Sequence, residues 1–250
     1  MAMGAQAGQF DAIDAEMIRF QGIIRGLRYA PFPIVAAPFN LTLGGGVEMT
    51  MIADDRVAGA ETYMGLVEAG VGLIPAGGGC TELLWRFNQQ LHPEAEPFEA
   101  VKRAFQLISM AKVSTSAYEA QELGLLLPSD TIAMNRQRVV AEAKRRVLDL
   151  AVDYIPPLPR RIKVLGEAAY ANLSMAIWGM REANYISDYD MYLAKSLARV
   201  LSGGTQNFAT EVSEEYMHNL EREVFVELWR QPKTQERVMA MLTTGKPLRN

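Results

Sequence analysis

Ile34-Val35-Ala36-Ala37, followed by Leu43-Gly44-Gly45-Gly46-Val47-Glu48 and an apolar run to Ala53, is the stretch on which the fold turns. The first four residues read as a short buried strand. The glycines open a turn, and Val47 to Ala53 has helical rather than alternating character. Residues without a Cβ let a ligand approach the backbone closely. The first N–H groups of a helix lack intrahelical acceptors and carry positive dipole character. Together these features make a place for negative charge that develops on an oxygen. A glycine triplet alone reads equally as a flexible turn, and Glu48 alone reads as a helix-start carboxylate stabilised by the dipole.

Outward from this turn, Arg56-Val57-Ala58 and Thr62-Tyr63-Met64 form two further short strands by pattern. Leu66-Val67-Glu68-Ala69-Gly70-Val71-Gly72 follows, an apolar stretch carrying one acid. Burying a carboxylate unpaired is costly, and burial raises its pKa toward values suited to proton transfer. Gly77-Gly78-Gly79 then precedes a helix expected from Thr81 to Gln90. Upstream, residues 10–29 form an amphipathic helix with Ile13, Met17, Phe20, Ile23, Ile24 and Leu27 at helical spacing, stopped by Pro31 and Pro33.

Downstream the pattern is mostly helical, over 98–111, 117–123 (ended by Gly124) and 135–154. Ile155-Pro156-Pro157-Leu158-Pro159 is the clearest break and should be extended. Further helices are expected over 163–182, 187–201, 212–229 and 234–243. The sequence therefore divides into an α/β part, 1–154, and a helical extension, 155–250. Strands and glycine turns crowd into residues 33–80, which leaves few strands for a complete α/β core.

Several function classes are disfavoured. The chain has 250 residues, a net charge of −4 and an isoelectric point of about 5.4, without the clustered basic excess of a nucleic-acid binder. Lys144-Arg145-Arg146 reads as a solvated helix face. The single cysteine, Cys80, forms no disulfide within the chain. No apolar run reaches the ~20 residues that span a bilayer, and Met1 to Phe10 lacks the features of a secretory signal. A cytoplasmic protein is the expectation. His92 and His218 have no neighbours at metal-ligand spacing, so no metal is expected. No serine sits in a G-x-S-x-G elbow. Gly70-Val71-Gly72-Leu73-Ile74-Pro75 ends in proline where a dinucleotide fingerprint has its third glycine.

The ordered set resembles the central block of the crotonase (enoyl-CoA hydratase) superfamily. It comprises Pro33 to Ala37, Leu43 to Glu48, Glu68 twenty residues on, and Ile74-Pro75-Ala76-Gly77-Gly78-Gly79. Ser116 to Leu125 resembles the family's A-x-x-A-x-x-x-G-L helix and turn. Met110 to Ser116, Lys163 to Glu167, Met180 to Glu182, Tyr185 to Ser187 and the ending Met241 to Asn250 look like a bacterial subfamily. Its members join a 3-hydroxyacyl-CoA dehydrogenase to a C-terminal hydratase region in fatty-acid β-oxidation.

The resemblance implies a partial crotonase-type core, a ββα spiral, followed by a helical region. It implies an enzyme that adds water across the 2,3-double bond of an enoyl-CoA thioester. Gly45 N–H would donate to the thioester oxygen. Glu48 and Glu68 would hold the water, one as base and one as proton donor. Gly44, Val67, Val71 and Ala76 would line the thioester site. No cofactor is expected on this chain; coenzyme A belongs to the substrate, and NAD would belong to a dehydrogenase domain of the same polypeptide. A homo-oligomer is expected by analogy. The alternatives are a non-catalytic acyl-CoA-binding or docking fragment, or an isomerase on the same scaffold.

The sequence departs from the family pattern at Asn40, which replaces the turn's first glycine but tolerates positive φ. Ala76 stands where many hydratases have a glycine whose N–H contacts the water; an alanine N–H serves if φ is negative. Only 43 residues precede Gly44. Family members carry a longer stretch there, holding the first strands, much of the CoA-adenine contact and the other oxyanion donor, so the reading is a hydratase cut within its own fold.

Overall fold

The computed structural model describes residues 1–250. Two helices open it, the short α1 (Ala2–Gln6) and the long α2 (Phe10–Arg28). Ile13, Met17, Gln21 and Ile24 form the buried stripe of α2. Then come β1 (Val35–Ala36), β2 (Asn40–Leu43), α3 (Gly45–Met51), β3 (Asp55–Gly59) and β4 (Thr62–Gly65). A 3-10 turn, Glu68–Val71, leads to α4 (Gly79–Gln90), α5 (Phe98–Ser109) and α6 (Ala117–Glu122). β5 (Thr131–Ala133) and α7 (Val139–Leu150) follow. The chain ends with β6 (Arg161–Val164), α8 (Glu167–Glu182), α9 (Asp188–Ser202), β7 (Thr210–Ser213), α10 (Glu214–Trp229) and α11 (Pro232–Thr244).

The strands pair in an order that defines the architecture. β1, β3 and β5 make one parallel sheet, while β2 and β4 make another. Each turn of the chain thus lays one strand on each sheet before passing on. This is the ββα spiral the sequence motifs imply, here with few turns. β6 and β7 form a separate antiparallel pair.

Several boundaries differ from the sequence expectation. α3 and α4 start two residues early, because Gly45 and Gly79 are already helical. The helix expected over 135–154 is a 3-10 turn, Arg136–Arg138, plus α7. The helix expected from Lys163 starts at Glu167, since Arg161–Val164 is a strand with Ile162 and Val164 turned inward. β5 and β7 were also read as helix or loop; at three and four residues they are too short to show alternation.

The 155–159 segment has no regular secondary structure, and it does not separate two cores. A single cluster of 43 buried apolar residues includes Leu83, Leu84 and Phe87 from before it and Ile162, Leu193 and Val224 from after it. The division expected at residue 155 is therefore a connection within one packed unit. The basic run on α7 is tied down at the surface, with Arg145 on Asp149 and Arg146 on Asp55.

Buried arginines hold the site-bearing helices in register. Arg86 of α4 is fully buried; it donates to Met51 O (2.7 Å) at the end of α3, to Leu125 O (3.0 Å) and to Glu82 (2.8 Å). Arg56 of β3 pairs with buried Asp130 at 2.7 Å and donates to Ala53 O at 2.7 Å. Arg28 and Arg160 converge with Glu82 and Glu214 in a second buried charge cluster. Burial pushes the Glu82 carboxyl up, but Arg28, Arg86 and Arg160 outweigh it and hold the group below the usual range. No helix is long and apolar enough to cross a membrane.

Candidate active site

β2 delivers the chain to the glycine turn through its parallel pairing with β4, Leu43 opposite Gly65. Asn40 at the start of β2 has φ 55°, a conformation that asparagine tolerates. The N–H of Gly44 donates to Gly65 O at 2.9 Å, and Val47 and Glu48 N–H turn back onto Gly44 O. Gly45 therefore carries the first N–H of α3 outside this backbone network, as the head of a helix requires.

The two glutamates lie on either side of this turn. Gly44 has φ 54°, and a Cβ there would sit 2.9 Å from Glu68 Oε1. A Cβ on Gly45 would face Glu48 Oε2 at 4.0 Å. Glu48 is buried, and its Oε1 accepts N–H bonds from Gly77 and Gly79, both at 2.8 Å. Gly77 is closed to a side chain, since a Cβ there would meet the Phe20 ring and stand 2.6 Å from Glu48 Oε2.

Glu68 is held differently. As a residue it is half-buried, but its Oε2 is out of reach of solvent and has no hydrogen-bond partner. Burial raises both carboxyls well above the usual range. For Glu48 the Gly79 and Gly77 N–H bonds partly reverse the effect. For Glu68 the charge of Glu48 adds to it. The two N–H bonds favour the charged form of Glu48, while Glu68 Oε2 has no donor.

The other expected site residues fall as follows. Ala76 is buried with φ not positive, so its N–H keeps the ordinary orientation. Its carbonyl accepts from Gln21 at 2.6 Å. Val67 and Val71 flank and close the 3-10 turn and are half-buried. A cavity of about 410 Å³ opens beside that turn, lined there by Ala69, Gly70 and Ile74 rather than by the two valines. Ile177, Leu193 and Leu197 from α8 and α9 line its far side, so the helical C-terminal half helps build the pocket.

Four contributors escape the sequence motifs. Phe20 of α2 covers the Glu48 side of the turn. Gln21 bridges Ala76 O and His218 O (2.7 Å). His218 and Glu221 approach from α10, His218 with Nε2 3.0 Å from where a Gly78 Cβ would stand. Gln21 and Glu221 each break an otherwise apolar buried stripe, Ile13-Met17-Gln21-Ile24 and Met217-Glu221-Val224-Leu228. That interruption was the available signal.

With the fold and the carboxylate geometry established, known proteins give the class. The solved structure of an enoyl-CoA hydratase from Mycobacterium avium subsp. paratuberculosis K-10 matches with a TM-score of 0.55 at 15% identity, over 94% of this chain and 72% of that one. The chain has the crotonase-type fold of the enoyl-CoA hydratases. No family model matches it. Among relatives by sequence, a Bacillus subtilis (strain 168) protein named "Probable 3-hydroxyacyl-CoA dehydrogenase" is 43% identical over 249 residues, 99% of this chain and 31% of that protein. Mouse mitochondrial methylglutaconyl-CoA hydratase is 33% identical over 146 residues, 58% of this chain and 41% of that protein. The chain spans less than half the length of either relative.

Proposed function

We propose that this chain is the enoyl-CoA hydratase region of a larger fatty-acid oxidation protein. The observation that carries the reading is the pair of shielded carboxylates, Glu48 and Glu68, packed against the two faces of one glycine turn. The thioester oxygen would accept from Gly45 N–H at the head of α3, where negative charge developing during addition is stabilised. Gly44, Val67, Val71 and Ala76 would surround the thioester, and the mostly apolar cavity beside the Glu68 turn, which neither glutamate lines, would take the acyl chain.

The chemistry divides between the acids by their surroundings. Glu48, anchored by two N–H bonds that favour its charged form, takes a proton from water as its oxygen bonds to C3. Glu68, whose buried Oε2 has no hydrogen-bond partner, gives its proton to C2. Water is consumed, the double bond becomes single, and proton return from Glu48 to Glu68 resets the site. General acid–base action of this kind contributes about 10²–10⁴ per group. The substrate brings its own coenzyme A, and the addition needs no redox cofactor. Its product, a 3-hydroxyacyl-CoA, is the substrate that the name of the Bacillus subtilis relative describes. A dehydrogenase domain on the same polypeptide, binding NAD, would consume it. Association of copies into a homo-oligomer belongs to the same proposal.

The test is product mass. Incubation with a short 2-enoyl-CoA in ¹⁸O-labelled water should give the 3-hydroxyacyl-CoA with one label. Binding without turnover, or a shifted double bond without added oxygen, would overturn the proposal.

A further inference from the structure

One buried acid near the site has no part in the chemistry above. Glu221 of α10 is fully excluded from solvent and pairs with no arginine or lysine. Its Oε1 accepts from both the N–H and the hydroxyl of Thr81, each at 2.7 Å, while its Oε2 is buried without a partner. Thr81 lies in the first turn of α4. The same helix start supplies the Gly77 and Gly79 N–H groups that hold Glu48. Two carboxylates, from α3 and from α10, thus share the positive end of one helix. That end carries only about half a unit charge, and two anions on it repel each other.

Resting on the hydration reading, we propose that Glu221 is a positioning residue of the site: by competing with Glu48 for the α4 N-terminus, it sets how readily Glu48 takes up and releases its proton. Burial pushes Glu221 up to about 8, and the charge of Glu48 adds to that; the Thr81 hydroxyl and the backbone N–H groups of Thr81 and Gly78 oppose it. The groups facing the pair are few. Glu68 is coupled to Glu48 by charge. Cys80 of α4 is held as a thiol by burial and then by the charges of Glu221, Glu48 and Glu68. His218 on α10 is pushed down to about 4, first by burial, with Glu214, Arg25, Arg160 and Glu82 acting on it from neighbouring elements. His218 is therefore neutral wherever Glu221 titrates, and no adjacent cation relieves the repulsion.

Glu221→Gln keeps an oxygen for Thr81 but removes the charge. ¹³C NMR of the intact chain labelled at glutamate Cδ, with the Glu48 signal assigned by its loss in Glu48→Gln, reads the titration directly. The midpoint of Glu48 should fall by roughly a few tenths of a pH unit, since Glu221, pushed up to about 8, is only partly charged where Glu48 ionises, and the acid limb of the hydration rate should move down with it. Thr81→Val, which weakens the Glu221 anion, should shift Glu48 the same way by less. A purely structural Glu221 would lower stability or yield without moving the Glu48 midpoint. An unchanged midpoint in folded Glu221→Gln, or in Thr81→Val should the former not fold, overturns the proposal. If Glu48 shifts while no chain hydrates an enoyl-CoA, the coupling stands and the hydration reading fails.

Discussion

A Cβ on Gly44 would stand 2.9 Å from Glu68 Oε1. The glycine turn thus serves as the seat of a carboxylate as well as the start of α3, and φ 54° at this residue adds a second demand for glycine. Gly44→Ala should therefore displace Glu68 and strain the turn. Misplacement by about an ångström can cost on the order of 10²-fold in rate, so kcat should fall by about that factor. Steady-state kinetics with a short enoyl-CoA checks this, and circular dichroism should show the fold retained.

Phe20 shields Glu48. Phe20→Ala should admit water, reduce the burial that raises the Glu48 carboxyl, and shift the acid limb of the pH–rate profile downward. The alkaline limb, set by Glu68, should move much less. A profile of kcat/KM against pH reads both limbs.

Arg86 donates to three backbone carbonyls and to Glu82 from a fully buried position. Arg86→Leu leaves Glu82 with one less cation and the carbonyls without donors. Removing one partner of a buried pair costs about 3–5 kcal/mol, and thermal unfolding should show a loss of that order. Gln21→Leu, which strips the donor from Ala76 O and His218 O, should cost about 1–3 kcal/mol.

Stability should depend on pH through the same acids. The Glu221 carboxyl is raised from an ordinary 4.5 to about 8 in the folded chain, so the fold binds its proton more tightly than the unfolded chain does. Its contribution is fully present below about 4.5 and is lost as pH rises through about 8. Glu48 and Glu68 act in the same direction. Glu82, held down by its arginines, acts oppositely and loses its contribution as pH falls below its ordinary range. Urea midpoints at pH 5 and pH 8 should thus differ less in Glu221→Gln than in the unaltered chain.

The candidate site was legible in the sequence where chemistry and backbone demand meet at fixed spacing. Gly44, Glu48 and Glu68 announce themselves because a glycine turn, a helix start and a lone acid in an apolar run each restrict the residues allowed. Asn40 and Ala76 were legible as conditions on φ, and both conditions hold. Phe20, Gln21, His218 and Glu221 were not legible as site residues, because they reach the site from α2 and α10 through tertiary packing. The strands β5, β6 and β7 were hidden for another reason. Each has only three or four residues, and an alternation of exposed and buried side chains as short as Arg161–Val164 is too brief to stand out among flanking helical residues.

The central claim is that Glu48 and Glu68 act together on one water. Hydration of a short 2-enoyl-CoA, followed as loss of the conjugated thioester, tests it most directly in the unaltered chain, in Glu48→Gln, in Glu68→Gln and in the double variant. The account predicts measurable hydration in the first and losses of about 10²–10⁴ in each single variant. The double variant should be little worse than the weaker single, because the two groups work as a unit. Single variants that keep the unaltered rate would contradict it, as would a folded chain that hydrates no enoyl-CoA at saturating substrate.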